Sequence, residues 1–135
     1  MAEKKFKIVI TFGTFDLFHV GHLRLLNRAK EFGERLVVGV SSDALNVAKK
    51  TKRPIIPEHY RMEIIKGISG VDEVFLEESL ELKPSYIQEY NADVLVMGDD
   101  WEGKFDALNR FCQVVYLKRT ENISTSYLLD YIVNQ

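Results

Sequence analysis

A single cysteine, Cys112, excludes an intrachain disulfide and with it the small secreted scaffolds that depend on such bridges. No apolar run reaches the length of a bilayer-spanning helix, and no apolar core of a secretion signal opens the chain. These absences point to a soluble cytoplasmic protein with no membrane partner. An excess of one charge is missing as well. Eighteen basic against 20 acidic residues leave a formal net charge of −2, which argues against a general affinity for nucleic acid or anionic membrane and makes any basic site a local one. Proline is scarce, and two of the three, Pro54 and Pro57, share one short stretch. Repeats, low-complexity tracts and linker-like segments are absent too, so residues 1–135 read as one domain.

What is present is an alternation of two periodicities. Phe6, Ile8, Val9, Ile10 and Phe12 make a nearly continuous apolar run, the pattern of a strand buried on both faces. After Gly21 the period changes: Leu23, Leu25, Leu26, Ala29 and Phe32 recur at helical spacing with mostly polar residues between them. The same reading predicts strands over 36–40, 74–76, 94–97 and 114–117, and helices over 43–48, 58–68, 84–90, 105–111 and 124–133. Residues 49–57 combine four cations with two prolines and read as an exposed, mobile loop. Such alternation builds an α/β domain with a doubly wound, mostly parallel sheet. Ligands of these sheets gather beyond the carboxyl ends of the strands, where the strand order reverses. The turn after the first strand, the Gly98-Asp99-Asp100 turn and the Arg119 segment are therefore expected to converge.

The first of these turns carries two of the three histidines, His19 and His22, at the point where strand gives way to helix. A helix start leaves N–H groups unpaired and carries partial positive charge, so it attracts phosphate, and two imidazoles on one side would add two donors. Gly13 and Gly21 permit a tight turn and close approach. Two other readings stand beside this one. Either histidine could be a cap or a satisfied core group. Either could ligate zinc, although the remaining candidates, His59 and Cys112, lie far along the chain.

Gly13-Thr14-Phe15-Asp16 followed by His19-Val20-Gly21-His22 resembles the signature of the HxGH nucleotidyltransferases, and more narrowly that of the cytidylyltransferases. Three further segments are similar in order and spacing to bacterial glycerol-3-phosphate cytidylyltransferases: Val71-Asp72-Glu73-Val74, the run from Met97 through Asp106, and Arg119-Thr120-Glu121-Asn122-Ile123-Ser124-Thr125-Ser126. The match spans nearly the whole chain. It implies a Rossmann-like domain that transfers CMP from CTP to a phosphorylated alcohol, foremost glycerol 3-phosphate, giving CDP-glycerol and pyrophosphate. It also implies Mg²⁺ bound with CTP, a homodimer, and a place in teichoic acid or other cell-surface polymer synthesis. The alternatives are transfer to another polyol phosphate or phosphocholine, adenylyl transfer as in FAD- or pantetheine-pathway relatives, and a nucleotide-binding module without chemistry.

The resemblance also implies roles for single residues. His19 and His22 contact the triphosphate, Gly13, Thr14, Phe15 and Gly21 shape the loop around it, and Asp16 orients the site or a metal-bound nucleotide unless it caps the following turn. Lys49 lies near the phosphates. Lys52 supplies a second cation unless this cluster is solvated surface, and Arg61, displaced by Tyr60 from the Glu58-His59 pair, contacts substrate. Asp100 helps recognise the nucleotide unless it is a turn carboxylate. Arg119, Ser124 and Thr125 place a guanidinium and hydroxyls beside phosphates at the start of the last helix, although an ordinary N-cap accounts for the hydroxyls alone. The resemblance assigns no metal ligands. Two departures stand out: Ser69-Gly70 occupies the place of an Arg-Tyr pair, removing a cation, and Asn122 replaces a glycine.

Overall fold

In a computed structural model describing residues 6–135, five strands form one all-parallel sheet in the order β3-β2-β1-β4-β5. The strands are β1 (Phe6–Gly13), β2 (Gly33–Ser41), β3 (Glu73–Glu77), β4 (Val94–Gly98) and β5 (Gln113–Leu117). The helices are α1 (Val20–Lys30), α2 (Asp43–Lys50), α3 (Glu58–Lys66), α4 (Lys83–Glu89) and α5 (Thr125–Val133).

The apolar runs have the composition they do because the sheet is covered on both sides. Alternate residues of each strand enter different cores. Val9, Leu36, Val38, Val40, Val94 and Val96 pack with Leu26 and Ala29 of α1 and Ile65 of α3. Ile10, Phe12, Val37, Phe75, Leu95 and Met97 pack on the other face with Ile87 of α4 and Cys112. Two apolar layers per strand leave no solvent face to betray a period of two.

β2 and β4 flank β1, so successive connections leave the first strand in opposite directions. The reversal opens a crevice beyond the carboxyl ends of β1 and β4, the place where a doubly wound sheet receives ligands.

Two elements depart from the sequence reading. Lys49 and Lys50 belong to the last turn of α2 rather than to a loop, because cations there oppose the helix dipole and Thr51 ends the helix in a left-handed conformation, φ 60°. Residues 105–111 form a 3₁₀ turn over Asp106–Arg110 instead of an α-helix. Here the N–H groups of Leu108 and Phe111 close on the carbonyls of Phe105 and Leu108, each three residues back, the tighter 3₁₀ pattern.

Candidate active site

Between β1 and α1 the backbone takes an unusual path. Phe15 and Leu17 both have positive φ, 56° and 50°, a conformation costing about 1–2 kcal/mol for each such residue. Ties from three directions offset that cost. The Asp16 carboxylate accepts N–H groups of Leu17, Ile55 and Ile56 at 3.1, 2.8 and 2.9 Å. Arg61 donates to the Thr14 carbonyl, and the Thr125 hydroxyl donates to the Asp16 carbonyl, each at 2.8 Å. The Phe15 ring is buried in the core and meets His22 edge-on at 5.5 Å. A β-carbon on Gly13 would stand 2.8 Å from that ring, so glycine is what lets Phe15 fold back.

The histidines cap α1 reciprocally. Nδ1 of His19 accepts Gly21 N–H at 3.0 Å, and Nδ1 of His22 accepts His19 N–H at 3.2 Å. A β-carbon on Gly21 would lie 2.8 Å from the His19 ring and abolish this arrangement. Because each Nδ1 is an acceptor, each neutral ring carries its proton on Nε2. The rings stack with centroids 3.7 Å apart and 25° between planes. Burial lowers both pKa values, that of His22 to about 4 with help from the neighbouring His19, against a smaller upward pull from Asp16. At neutral pH both are therefore uncharged donors. Capping and phosphate binding use different nitrogens, so the two readings of the motif hold together. Among the described residues no three His, Cys, Asp or Glu side chains gather as a metal site, which removes the zinc reading.

The crevice has a volume of about 640 Å³ and brings together Gly13, Thr14, Phe15, Asp16, His19, Gly21, His22, Lys49, Lys52, Asp100, Arg119, Ser124 and Thr125. Arg28, Lys50, Arg53, Lys83 and Lys118 also line it, against the acids Asp16, Glu77 and Asp100. The basic character absent from the whole chain is concentrated here. Burial and the Lys50 charge lower the Lys49 pKa to about 8, Lys83 and Arg61 acting the same way and Glu77 opposing, which leaves it mostly charged at neutral pH. Arg119 sits 3.6 Å from Asp100 with both side chains well exposed, and its N–H meets Asp99 at 3.2 Å. Ser124 caps α5 by accepting Tyr127 N–H at 3.0 Å. Asn122 has φ 66°, a left-handed conformation that asparagine tolerates better than most residues.

Arg61 is not at the crevice. Its buried guanidinium donates to the carbonyls of Ile56, Thr14 and Ser41 at 2.8 Å each and to the Asp43 carboxylate at 2.7 Å. It is a strut joining α2, α3 and the β1–α1 loop. Ser69-Gly70 lies outside the crevice lining, with Gly70 beside Lys30 and Asn27, so these two positions take no cation from the basic ring. Asn46, Glu77 and Lys83 escaped the sequence reading. Asn46 of α2 is buried and accepts the Thr14 hydroxyl at 3.0 Å. Glu77 and Lys83 form a buried ion pair, yet charges six apart across a turn carry no pattern. Trp101 and Phe105 supply apolar wall.

The model of the family described as "Cytidylyltransferase-like" matches residues 10–130. This chain belongs to that family. The cytidylyltransferase-like chain is 52% identical over 126 residues to glycerol-3-phosphate cytidylyltransferase of Bacillus subtilis (strain 168), covering 93% of this chain and 97% of that protein. It is 32% identical to FAD synthase of Thermococcus sibiricus, covering 98% and 97%. Among solved structures, the lipopolysaccharide core biosynthesis protein of Thermoplasma volcanium superposes with a TM-score of 0.71 at 24% identity, covering 85% of this chain and 98% of that one. The last likeness bears on fold alone and agrees with the Rossmann-like expectation. No described helix of the cytidylyltransferase-like chain is long and apolar enough to cross a membrane.

Proposed function

We propose that this protein transfers CMP from CTP to glycerol 3-phosphate, releasing pyrophosphate and forming CDP-glycerol. The carrying observation is the pair of stacked imidazoles whose Nδ1 atoms are engaged by backbone N–H groups, leaving two Nε2–H donors in a crevice ringed by cations. The 52% identity to a glycerol-3-phosphate cytidylyltransferase supports the choice of substrates, and the 32% identity to an FAD synthase places the adenylyl alternative further away.

An oxygen of the acceptor phosphate forms a bond to the α-phosphorus of CTP while the bond from that phosphorus to the bridging oxygen breaks and pyrophosphate leaves with the electron pair. A phosphomonoester has its second pKa near ~6, so at neutral pH the nucleophile is already dianionic and no general base is required. The protein's task is to align two anions and hold the charge that grows on the leaving group. His19 and His22 donate to the triphosphate without adding net charge. Lys49, Lys52 and Arg119 offset the repulsion between the two substrates, and the N-terminus of α5 at Ser124 and Thr125 adds unpaired N–H groups.

The donor set suits Mg²⁺ carried by the nucleotide. Three N–H groups already occupy the Asp16 carboxylate, and magnesium ordinarily keeps several waters beside its phosphate oxygens. Of the three carboxylates lining the crevice Glu77 is paired with Lys83, which leaves Asp16 and Asp100 to approach the ion through its waters, and the ion would neutralise triphosphate charge. A cytoplasmic homodimer completes the reading, and light scattering at working concentration tests the dimer.

The decisive assay follows pyrophosphate release from CTP and Mg²⁺ with glycerol 3-phosphate, run beside ATP and beside phosphocholine. Release with CTP and glycerol 3-phosphate is expected. Faster release with ATP would transfer the assignment to adenylyl transfer, and CTP binding without turnover of any acceptor would make the protein a binding module.

A further inference from the structure

Arg119 is anchored through its backbone, while its guanidinium stays exposed beside Asp100. The β4–β5 ladder ends at the pair Gly98 and Leu117. Beyond that pair the strands part, because Asp99 opens a 3₁₀ turn over Asp99–Trp101 while Lys118 and Arg119 run on into the loop before α5. The peptide unit joining Lys118 to Arg119 is nonetheless held on both sides. Its carbonyl, on Lys118, accepts Nη1–H of Arg28 at 2.7 Å, and its N–H, on Arg119, donates to the Asp99 carboxylate at 3.2 Å. Arg28 comes from the last turn of α1, 90 residues away in sequence, and Asp99 from the turn after β4, 20 residues away. Arg28, Lys118 and Arg119 all line the crevice.

The carbonyl and the N–H of one trans peptide point in opposite directions across a rigid plane. A hydrogen bond on each side stops that plane from turning. It fixes ψ of Lys118 and φ of Arg119, and with them the direction in which the Arg119 side chain leaves the backbone. Stability explains this poorly. Both bonds are exposed, so water could satisfy either group, and recruiting long charged side chains from two other elements costs rotamer freedom for a small net return. Position explains it well. A guanidinium on a flexible stem meets a phosphate with less loss of freedom when its root is already fixed. The same peptide also ties together the two sides of the crevice, since α1 carries His22 and is capped by His19, while the turn after β4 carries Asp100.

Building on the cytidylyl transfer proposed above, we infer that Arg28 and Asp99 are positioning residues that clamp the Lys118–Arg119 peptide and so aim the Arg119 guanidinium at the phosphates of CTP. They act through Arg119. Their contribution therefore appears in nucleotide binding and disappears once that guanidinium is removed.

The test is a double-mutant cycle on the Kd for CTP, measured by calorimetry with Mg²⁺ and no acceptor. Arg28→Met and Asp99→Ala should each weaken CTP binding by ~3- to 10-fold, the scale of one hydrogen bond's contribution. In an Arg119→Ala background the same substitutions should add less than ~2-fold, because the clamp has nothing left to aim. Asp99→Asn should stay within ~2-fold of the unsubstituted protein, since a carboxamide oxygen still accepts the N–H. Losses that persist in full in the Arg119→Ala background would overturn the clamp, making Arg28 or Asp99 a direct ligand contact or a brace of the fold. Unchanged Kd in both single variants would overturn it as well. Pyrophosphate release with glycerol 3-phosphate, followed in parallel, tests the reaction separately. The expected cycle without release would keep the clamp and strike the transfer reaction, whereas an unsubstituted protein that binds no CTP would overturn both.

Discussion

On the wall made by residues 13–22, Asp16, His19 and His22 are each bound to backbone groups, and behind that wall Arg61 reaches three carbonyls and a carboxylate. On the wall made by residues 99–105 and 118–125, Asp100 and Arg119 are 66% and 60% exposed and meet at 3.6 Å, close to solvent. Under the proposed reaction the difference divides the labour. Groups that must face a developing charge are fixed before substrate arrives, since reorganisation during the reaction would waste their effect. Groups that recognise the nucleotide can remain adaptable, and an exposed pair of this kind contributes at most about 1 kcal/mol to stability, so it is free to rearrange on binding.

The largest blow to this contrast is removal of the strut. Arg61→Met strands the Asp43 carboxylate and three carbonyls in a buried setting, and should cost about 3–5 kcal/mol in denaturant unfolding. A loss below about 1 kcal/mol would mean that the first wall is not held as described. Next comes His22→Ala, expected to lower kcat by about 10²–10³-fold in steady-state assays, the scale of one lost preorganised donor. Its melting temperature should change far less than that of the Arg61 variant. Smaller again is Arg119→Ala, expected to raise the KM for CTP by about 10-fold through loss of a charge-assisted contact, with unfolding free energy within about 0.5 kcal/mol. If its stability fell as far as that of Arg61→Met, the two walls would not differ.

Titration sharpens the comparison further. With His22 near 4 in the folded chain and near the ordinary 6.5 when unfolded, the unfolded chain holds more protons between those values. Stability therefore rises with pH through that window and falls as pH drops from 6.5 towards 4, by on the order of 2 kcal/mol after allowance for partial exposure. His22→Ala should flatten this slope in thermal melts. Lys49 gives the opposite limb in catalysis. Its charge is lost as pH rises through about 8, so kcat/KM for CTP should decline there in the free enzyme, and Lys49→Arg should move the decline to higher pH.

Much of this site was legible before any coordinates. Gly13, Gly21 and the two histidines sit at a change of hydrophobic period, and the local chemistry of a strand-to-helix turn carries over directly into the caps observed. Asn122 at φ 66° was legible for the same reason, as a local backbone preference. Arg61 was legible as important and illegible in its role, because whether a guanidinium meets a phosphate or four protein acceptors depends on which strands and loops surround it. Asn46, Glu77 and Lys83 gave no signal because they are polar residues on short elements, where exposure is the default expectation and burial comes from neighbours distant in sequence. The α2 boundary shifted because a helix C-terminus welcomes lysine, a local preference that competed with the loop-like proline content just beyond it.

Sequence by itself determined the alternating strands and helices, the covered sheet and the turn that sets two imidazoles at a helix start, since each follows from periodicity or from residues within a few positions. Only the tertiary structure decided the strand order that brings five carboxyl-terminal ends into one crevice, which cations face that crevice and which brace it, and the burial of Glu77 and Lys83 at its floor. Those outcomes depend on contacts between residues tens of positions apart, and a buried charge reveals its role through the partners that the fold places around it.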